Sequence, residues 1–341
     1  MKNSESLIEL YRSVNPNAEK IYVVPLIRFS HKKTDYLYLL YENLIKGNEF
    51  KIRSISIFDH FNLIIAILQN RNSILHYHWF EFQDFKSLIG MPWKLFCVYF
   101  FQKLGGTIVW TIHNEFPHDR KYLDLHYYLH RKMAQWSKAL HVHCNKAVEI
   151  MSNRLKCEKN KFHVIPHPEY PLDPIDKVEA RELLRIHYNV VIENEEPILL
   201  MFGNISRYKR MELVANLIIE YDLKCKLLIV GPIKKGNEKL YKKLSVYEES
   251  DDKIKVIPHF IKEDRVSWFY SASDITIFNY REILSSGSYH MALAFNKTII
   301  APESGCLSEE SGKPNVFLFK DQNQLKQLIK HHTEIQDDDT A

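Results

Sequence analysis

The chain has 341 residues, 45% of them hydrophobic and 26% charged, which is ordinary for a globular protein with room for two cores. No stretch has the length of a membrane-spanning helix, and the polar start MKNSESLIELYRS lacks the apolar centre of a signal peptide, so we expect a cytoplasmic protein. Residues 1–165 carry 23 Lys and Arg against 14 Asp and Glu, whereas the remainder has a net charge of −5. This asymmetry indicates an anionic partner, whether a nucleic acid, an anionic membrane surface or a lipid diphosphate.

The first half of the chain alternates predicted strands with helices. Strands are predicted at 20–26, 52–57, 73–77, 107–112, 139–142 and 162–165, and helices at 35–46 and 127–137. This βαβ rhythm is typical of a parallel sheet.

The proline-rich segment 166–174, PHPEYPLDP, fits neither a helix nor a central strand and is predicted to connect two domains. The rhythm then repeats, with strands predicted at 197–202, 227–230, 255–257, 275–278, 298–301 and 316–319. We therefore predict an α/β protein with one domain over 1–170, a second over 171–320, and a helix with an acidic tail over 321–341.

Residues 197–212, PILLMFGNISRYKRME, contain the first candidate anion site. An apolar strand stops at Gly203, and Arg207 and Lys209 fall in a short turn before a helix that begins at Met211. A strand that ends in glycine and places basic side chains at a helix start is a common phosphate-binding device. The alternative is a solvated surface turn, because such corners occur in every α/β protein.

A second candidate anion site follows the predicted strand 275–278. The loop after it contains Tyr280 and Glu282 and leads through Ser286, Gly287 and Ser288 into a helix. Backbone N–H groups at such a helix start are free to bind an anion. Two devices of this kind predict a diphosphate that is held from two sides.

Four segments of the chain resemble a known family. They read HYHW at 76–79, WTIHNEFPH at 110–118, FGNISRYK at 202–209 and SGSYHMAL at 286–293. In this order they resemble the HxHW, WTxHNxxPH, FGxIxxYK and SGxxxxAL segments of bacterial sugar transferases near glycosyltransferase family 4. Those enzymes have the GT-B fold, in which two Rossmann-like, doubly wound domains face a cleft. The resemblance runs from about residue 20 to residue 320.

The resemblance implies transfer of a sugar from a UDP-type or GDP-type nucleotide diphosphate sugar. The second domain would bind this donor, and the first would bind a saccharide or lipid-linked saccharide acceptor in surface polysaccharide synthesis, with possible peripheral contact to the anionic inner membrane. The residues that carry over are the clamp Arg207 and Lys209, the cradle Ser286, Gly287 and Ser288, and the further substrate contacts Gly203, Asn114 and Tyr280. Because cations and N–H dipoles stabilise a leaving diphosphate, neither a metal nor a cofactor is expected.

Two positions depart from the family pattern. Glu282 matches the first of two glutamates eight residues apart, but His290 stands where the second, which holds the ribose in relatives, is expected. Residues 25–28, PLIR, replace a glycine pair after the first strand. Whether the reaction retains or inverts the sugar configuration is therefore left open.

His113 ends a predicted strand whose carboxyl end should face the cleft, so we predict that it is catalytic together with Glu282. The alternative is a structural histidine at a strand end. His118 and Asp119 are candidates for a base if the enzyme inverts configuration.

The remaining histidines and aromatic residues are open to simpler interpretations. His76 and His78 should share one strand face, with Trp79 on the other, and packing explains them at least as well as catalysis. His126 and His130 have a spacing that can bind zinc, but no third ligand accompanies them, and we expect surface histidines. The aromatic segment 91–104 could lie on a membrane, but we favour a helix that covers the sheet, with some of Trp93, Phe96 and Phe100 exposed.

Two other functions are compatible with the sequence. A sugar-nucleotide epimerase of the same fold would need the same diphosphate clamp. A non-catalytic nucleic-acid-binding protein would use the basic first half, but the sequence has no recognisable nucleic-acid motif, and we expect no nucleic-acid partner.

Overall fold

The computed structural model describes residues 2–56, 59–69, 72–81, 89–117, 121–192 and 196–334. The chain divides into two compact units, Met1–Pro168 (unit 1) and Glu169–Ala341 (unit 2). The division falls within the proline-rich segment 166–174.

The described part of unit 1 forms a six-stranded parallel sheet in the order β2-β1-β3-β4-β5-β6. Its strands are β1 Lys20–Val24, β2 Lys51–Ser54, β3 Ser73–His78, β4 Thr107–Thr111, β5 Ala139–Val142 and β6 Phe162–Val164. Its helices are α1 Lys2–Val14, α2 Tyr36–Lys46, α3 Phe61–Gln69, α4 Met91–Lys103, α5 Leu123–Trp136 and α6 Asn145–Leu155. Every residue of β3 is buried, as expected of a central strand that is covered by helices on both faces.

The described part of unit 2 forms a second six-stranded parallel sheet, in the order β12-β11-β10-β7-β8-β9. Its strands are β7 Ile198–Phe202, β8 Lys226–Val230, β9 Ile254–Ile257, β10 Ile275–Ile277, β11 Thr298–Pro302 and β12 Val316–Phe319. Its helices are α7 Lys177–Tyr188, α8 Met211–Glu220, α9 Glu238–Ser250, α10 Val266–Ala272, α11 Gly287–Ala294 and α12 Gln322–Glu334. All twelve strands coincide with predicted ones to within three residues at each end.

The strand orders place a topological switch point in each sheet. In unit 2 the chain winds outward in both directions from the neighbouring strands β7 and β10, the 3-2-1-4-5-6 order of dinucleotide-binding sheets. In unit 1 the reversal lies between β1 and β3. Ligands of open parallel sheets bind outside the carboxyl ends of strands at such points. Ligand-binding residues are therefore expected in the loops that follow β7, β10, β1 and β3.

Helix α4 covers the sheet with one face and exposes aromatic rings on the other. Met91, Cys97, Val98 and Phe101 are buried, whereas Trp93, Phe96 and Phe100 are exposed, so the prediction for this helix is confirmed. Lys94 is buried despite its charge, and burial lowers its pKa to about 8.

The expectation that His126 and His130 are surface histidines was wrong. Both lie on α5 with only 1% of their surface exposed, because this helix begins at Leu123, four residues before the predicted start, and turns both rings inward. The Nε2 atom of His130 lies 3.2 Å from the Phe80 carbonyl oxygen, which fixes the ring. Their common face is a packing face.

Candidate functional site

Gly203 brings the two predicted anion-binding segments together. It directly follows β7 with φ +101°, a left-handed conformation that favours glycine. A Cβ atom at this position would lie 2.7 Å from Nζ of Lys209 and 3.2 Å from Oγ of Ser288. The clamp lysine and the cradle serine therefore border the same small space, which is open because residue 203 has no side chain.

Lys209 lies in a 3-10 turn, Arg207–Lys209, between Gly203 and α8. Its side chain is 4% exposed, and its Nζ donates a hydrogen bond of 3.0 Å to the Phe202 carbonyl oxygen. Burial lowers the pKa of the ammonium group to about 7, and no carboxylate among the described residues pairs with it. A buried amine with one hydrogen-bond partner is suited to an incoming anion, which would restore its charge.

The cradle is the start of α11. Ser286 caps this helix, because its Oγ accepts a hydrogen bond from the Tyr289 N–H at 3.2 Å, and the same Oγ lies 3.1 Å from the Tyr280 hydroxyl. Within the described part of the chain, the N–H groups of Gly287 and Ser288 have no acceptor. Two free N–H groups at the positive end of a helix dipole form an anion site.

The loops after β7 and β10 are tied into one assembly. The Arg281 N–H donates to the Tyr208 carbonyl oxygen at 2.8 Å, and the rings of Tyr208 and Tyr280 stack with centroids 5.6 Å apart. Asn279, two residues beyond β10, donates from Nδ2 to the Arg210 carbonyl oxygen at 3.3 Å. The sequence reasoning missed Asn279, although its place directly after a buried strand was a usable signal.

Arg207 and Glu282, two of the predicted site residues, lie at the exposed rim of this assembly. The Arg207 backbone is held by a hydrogen bond from its N–H to Oδ1 of Asn237, 3.0 Å away. Glu282 follows Arg281, whose backbone bond fixes the loop next to Tyr208. His290 is half-buried on α11, and its ring meets the Tyr289 ring edge-on at 5.4 Å. The roles of Glu282 and His290 stay predictions.

A second concentration of polar side chains lies at the carboxyl ends of β3, β4, β5 and β6 in unit 1. We call it the histidine cluster. Its members are His76, His78, His113, His141, His143 and His167. The rings of His76 and His78 stack 4.4 Å apart, which confirms that they share a strand face. Both rings also form hydrogen bonds, so they do more than fill space.

The predicted direction of Trp79 was wrong. Its φ of +47° turns the chain at the end of β3, so that the indole ring stacks on His113 with centroids 4.1 Å apart. Nδ1 of His78 lies 3.1 Å from Nε2 of His113, which is half-buried. His113 therefore belongs to the edge of the histidine cluster, next to the switch point of this sheet.

Burial keeps five histidines of the cluster neutral at pH 7: His76, His78, His113, His141 and His143. Burial lowers the pKa of His76 to about 3 and that of His143 to about 4. Burial, reinforced by the neighbouring imidazoles, holds the pKa values of His78, His113 and His141 well below 6.5. The described residues include no group of His, Cys, Asp and Glu arranged to hold a metal ion. Both ring nitrogens of His76, His78, His141 and His143 already have hydrogen-bond partners within unit 1, whereas the half-buried His113 can reach a polyhydroxylated ligand.

Asn114 follows His113 and is held by Glu81, whose Oε1 accepts a hydrogen bond from the Asn114 amide at 3.2 Å. Its predicted contact with substrate stays a prediction. His118 and Asp119, the candidate bases for an inverting reaction, lie outside the described residues.

An open depression of about 720 Å³ lies elsewhere in unit 1 and is lined by residues that include Thr107, Ser137 and Lys138. These residues lie at the amino ends of β4 and β5. Because ligands of parallel sheets bind at the carboxyl ends, we assign this depression no part in the site.

No protein-family model matches the chain, and no curated protein matches its sequence. Solved structures match its fold over nearly the full length. The structure of Anabaena Alr3699/HepE in complex with UDP and glucose has a TM-score of 0.64 at 10% identity, covering 94% of this chain and 91% of that one. Sucrose-phosphate synthase from Thermosynechococcus elongatus has a TM-score of 0.67 at 14% identity, covering 94% and 90%. A glycosyltransferase from Rickettsia africae has a TM-score of 0.63 at 16% identity, covering 94% and 89%.

The chain has the GT-B fold. Two six-stranded parallel sheets with flanking helices, together with this coverage, confirm the predicted two-domain α/β architecture. At 10–16% identity the similarity establishes the fold alone, because one fold hosts many functions.

Proposed function

We propose that the chain is a glycosyltransferase whose unit 2 binds a nucleotide diphosphate sugar of the UDP or GDP type. The observation that carries the proposal is the space beside Gly203, which Lys209 and Ser288 border from two sides. It lies at the β7–β10 switch point, where a cation, two free N–H groups and a helix dipole come together. The Anabaena protein of the same fold has been solved with UDP-glucose, which is consistent with this proposal.

The chemistry that these groups supply is stabilisation of a leaving diphosphate. When the bond between the sugar and the phosphate oxygen breaks, negative charge grows on the diphosphate. Lys209, Arg207 and the N–H groups of Gly287 and Ser288 would interact with that charge more strongly than with the intact donor, which lowers the barrier. Because the chain supplies this charge stabilisation itself, we propose that the reaction needs neither a metal nor a cofactor.

We assign the acceptor side to unit 1, with His113 contacting the reacting sugar or the acceptor. The histidine cluster holds the half-buried His113 in place through His78, and Trp79 supplies an aromatic face beside His113. Aromatic faces and hydrogen-bonding groups are what a saccharide requires. We propose a saccharide or lipid-linked saccharide acceptor in surface polysaccharide synthesis, with Glu282 holding hydroxyl groups of the donor sugar.

A lipid-linked acceptor would bring the protein to a membrane, and helices α3 and α4 present a suitable surface. The exposed ring of Trp93 stacks with two other exposed rings, those of Phe61 and Phe96. Leu68, on α3, is 69% exposed. Neither helix contains Asp or Glu, and α4 ends in the exposed Lys103. Aromatic rings with a lysine and no acidic group match the interfacial layer of an anionic bilayer. We propose that this surface binds anionic lipid; no helix among the described residues is long and apolar enough to cross a bilayer.

Sedimentation with phosphatidylglycerol vesicles and with neutral phosphatidylcholine vesicles tests the lipid contact. We expect binding to the anionic vesicles that is lost when Trp93 and Phe96 are both changed to Ser. A variant that still binds, or wild-type protein that forms a dimer through this surface and ignores vesicles, would contradict the proposal.

A thermal-shift screen of UDP, GDP, dTDP and CMP sugars tests the central assignment. A ligand present at 100 times its Kd stabilises the native state by roughly 2.7 kcal/mol, so the correct nucleotide should stand out. Product analysis with the best donor then separates the enzyme classes. A transferase releases the nucleoside diphosphate and lengthens an added acceptor, whereas an epimerase of the same fold changes the sugar nucleotide without an acceptor. No response to any sugar nucleotide, together with salt-sensitive binding of DNA or RNA, would contradict the proposal.

A further inference from the structure

The donor and acceptor of each hydrogen bond in the histidine cluster can be assigned in order, starting from a backbone carbonyl oxygen. The Ile165 carbonyl oxygen only accepts, so His141, whose Nε2 lies 3.0 Å away, carries its proton on Nε2. Its Nδ1 must then accept, and the donor is the Thr111 hydroxyl at 2.8 Å. Having used its one hydrogen, Thr111 accepts from Nε2–H of His76 at 2.7 Å. Nδ1 of His76 is therefore an acceptor.

Two tyrosine hydroxyls compete for this acceptor. The Tyr41 oxygen lies 2.5 Å from Nδ1 of His76, and the Tyr11 oxygen lies 2.6 Å from it. If Tyr41 donates to His76, its oxygen accepts from Tyr11 at 3.2 Å and from Nε2–H of His78 at 3.0 Å, and every contact of Tyr41 contains a hydrogen. This leaves one contact without a hydrogen, the 2.6 Å contact between the Tyr11 oxygen and Nδ1 of His76. If Tyr41 donates to His78 instead, its own contact with His76 has no hydrogen, and Tyr11 can donate to only one of Tyr41 and His76, so two contacts are left without a hydrogen. The first arrangement is therefore favoured.

The direction of the Tyr41 hydroxyl decides the state of His113. With Nε2 of His78 protonated, Nδ1 of that neutral ring is an acceptor, and the group facing it at 3.1 Å is Nε2 of His113. His113 must then carry its proton on Nε2. Its Nδ1 is left without a proton and without a partner among the described residues, on a ring that is half-buried.

We propose that Tyr41 is a positioning residue that fixes the tautomer of His113, so that Nδ1 of His113 accepts a hydrogen bond from a hydroxyl group of the sugar or the acceptor. The tautomer follows from the geometry of unit 1 alone. Its use on a sugar hydroxyl rests on the proposed function.

Two-bond ¹H–¹⁵N correlation spectra of the full-length protein with ¹⁵N-labelled histidine test the tautomer directly. The His113 signals are assigned by their loss in His113→Asn. We expect the Nδ1 shift of His113 in the range of an unprotonated nitrogen. In Tyr41→Phe the acceptor for His78 is gone, and this shift should move towards that of a protonated nitrogen. Tyr11→Phe removes an equally buried hydroxyl that lies outside the path to His113, and the shift should stay.

A wild-type His113 protonated on Nδ1 would overturn the proposal without any variant, and so would equal shifts in the two tyrosine variants. Transfer rates give the second readout. We expect kcat to fall roughly tenfold or more in Tyr41→Phe, with KM for the donor little changed. If the tautomer is as proposed and transfer by Tyr41→Phe is normal, the role of His113 on the substrate is wrong, while unit 2 could still bind the donor.

Discussion

Lys209 is expected to destabilise the free protein, and replacing it by Met tests this. Burial lowers its pKa from 10.5 to about 7. Because the unfolded chain binds a proton that the folded chain holds poorly, this group opposes folding at neutral pH. One pKa unit corresponds to 1.36 kcal/mol, so the penalty at pH 7 is roughly 4 kcal/mol. The hydrogen bond from Lys209 to the Phe202 carbonyl oxygen stabilises the folded protein by roughly 1 kcal/mol, and Lys209→Met loses this contribution. Lys209→Met should therefore raise the free energy of unfolding by about 3 kcal/mol.

The pH dependence has a definite sign. Between pH 7 and pH 10.5 the unfolded chain carries more protons at this site than the folded chain, so wild-type stability rises with pH across that range. The penalty is fully present below pH 7 and is nearly gone at pH 10.5. The increase in unfolding free energy that Lys209→Met gives over wild type should therefore shrink between pH 7 and pH 10.5.

Urea unfolding followed by circular dichroism at pH 7 and pH 10 measures both effects, using the transition that belongs to unit 2. Lys239→Met, at an exposed lysine on α9, is the matched control and should change the unfolding free energy by less than about 0.5 kcal/mol. A Lys209→Met protein that is less stable than wild type at pH 7, or whose advantage does not depend on pH, would refute the reasoning. Lys209 would then be a structural residue.

Four further substitutions test the assigned roles. Arg207→Ala should weaken donor binding by roughly 1.5–3 kcal/mol through loss of a charge-assisted contact, and unchanged affinity in calorimetry would remove Arg207 from the clamp. Gly287→Val should abolish binding of the diphosphate with little change in circular dichroism, because the branched side chain blocks approach to the N–H groups; normal turnover would show that the cradle is misplaced. His113→Ala and Glu282→Gln should each leave nucleotide affinity nearly intact and slow transfer, and an assay that finds the reverse pattern would contradict the division of roles between the units.

The sheets were predictable because parallel strands buried on both faces are short apolar runs between polar loops. The strand 139–142 was predicted to the residue, and Ile198 to Phe202 also stood out as an apolar run. Helix α1 was missed, although Leu7, Leu10 and Tyr11 have helical spacing and are fully buried. The helix buries only one face, so its composition is mostly polar and resembles that of a loop.

The candidate site was predictable in part. Gly203, Lys209 and Ser288 were singled out from local sequence, and the structure brings them together. The burial of Lys209 was not foreseen, because a turn of basic residues has the composition of a solvated surface. The hydrogen bonds within the histidine cluster could not be predicted from the sequence, since they join residues up to 107 positions apart, such as Tyr36 and His143. Local patterns identify the residues, and the strand order alone decides which of them meet.

Calorimetric titration of UDP and UMP into wild-type protein and Lys209→Met at pH 8 tests the central claim most directly. The claim is that the space beside Gly203 holds a diphosphate against Lys209. Wild type should bind UDP at least tenfold more tightly than UMP, a difference of roughly 1.4 kcal/mol. Titrations in two buffers of different ionisation enthalpy should show that UDP binding takes up nearly one proton, because the diphosphate restores the charge of Lys209. Lys209→Met should lose the preference for UDP and the proton uptake together. Equal affinity of wild type for UDP and UMP, or an unaltered UDP titration in Lys209→Met, would contradict the account.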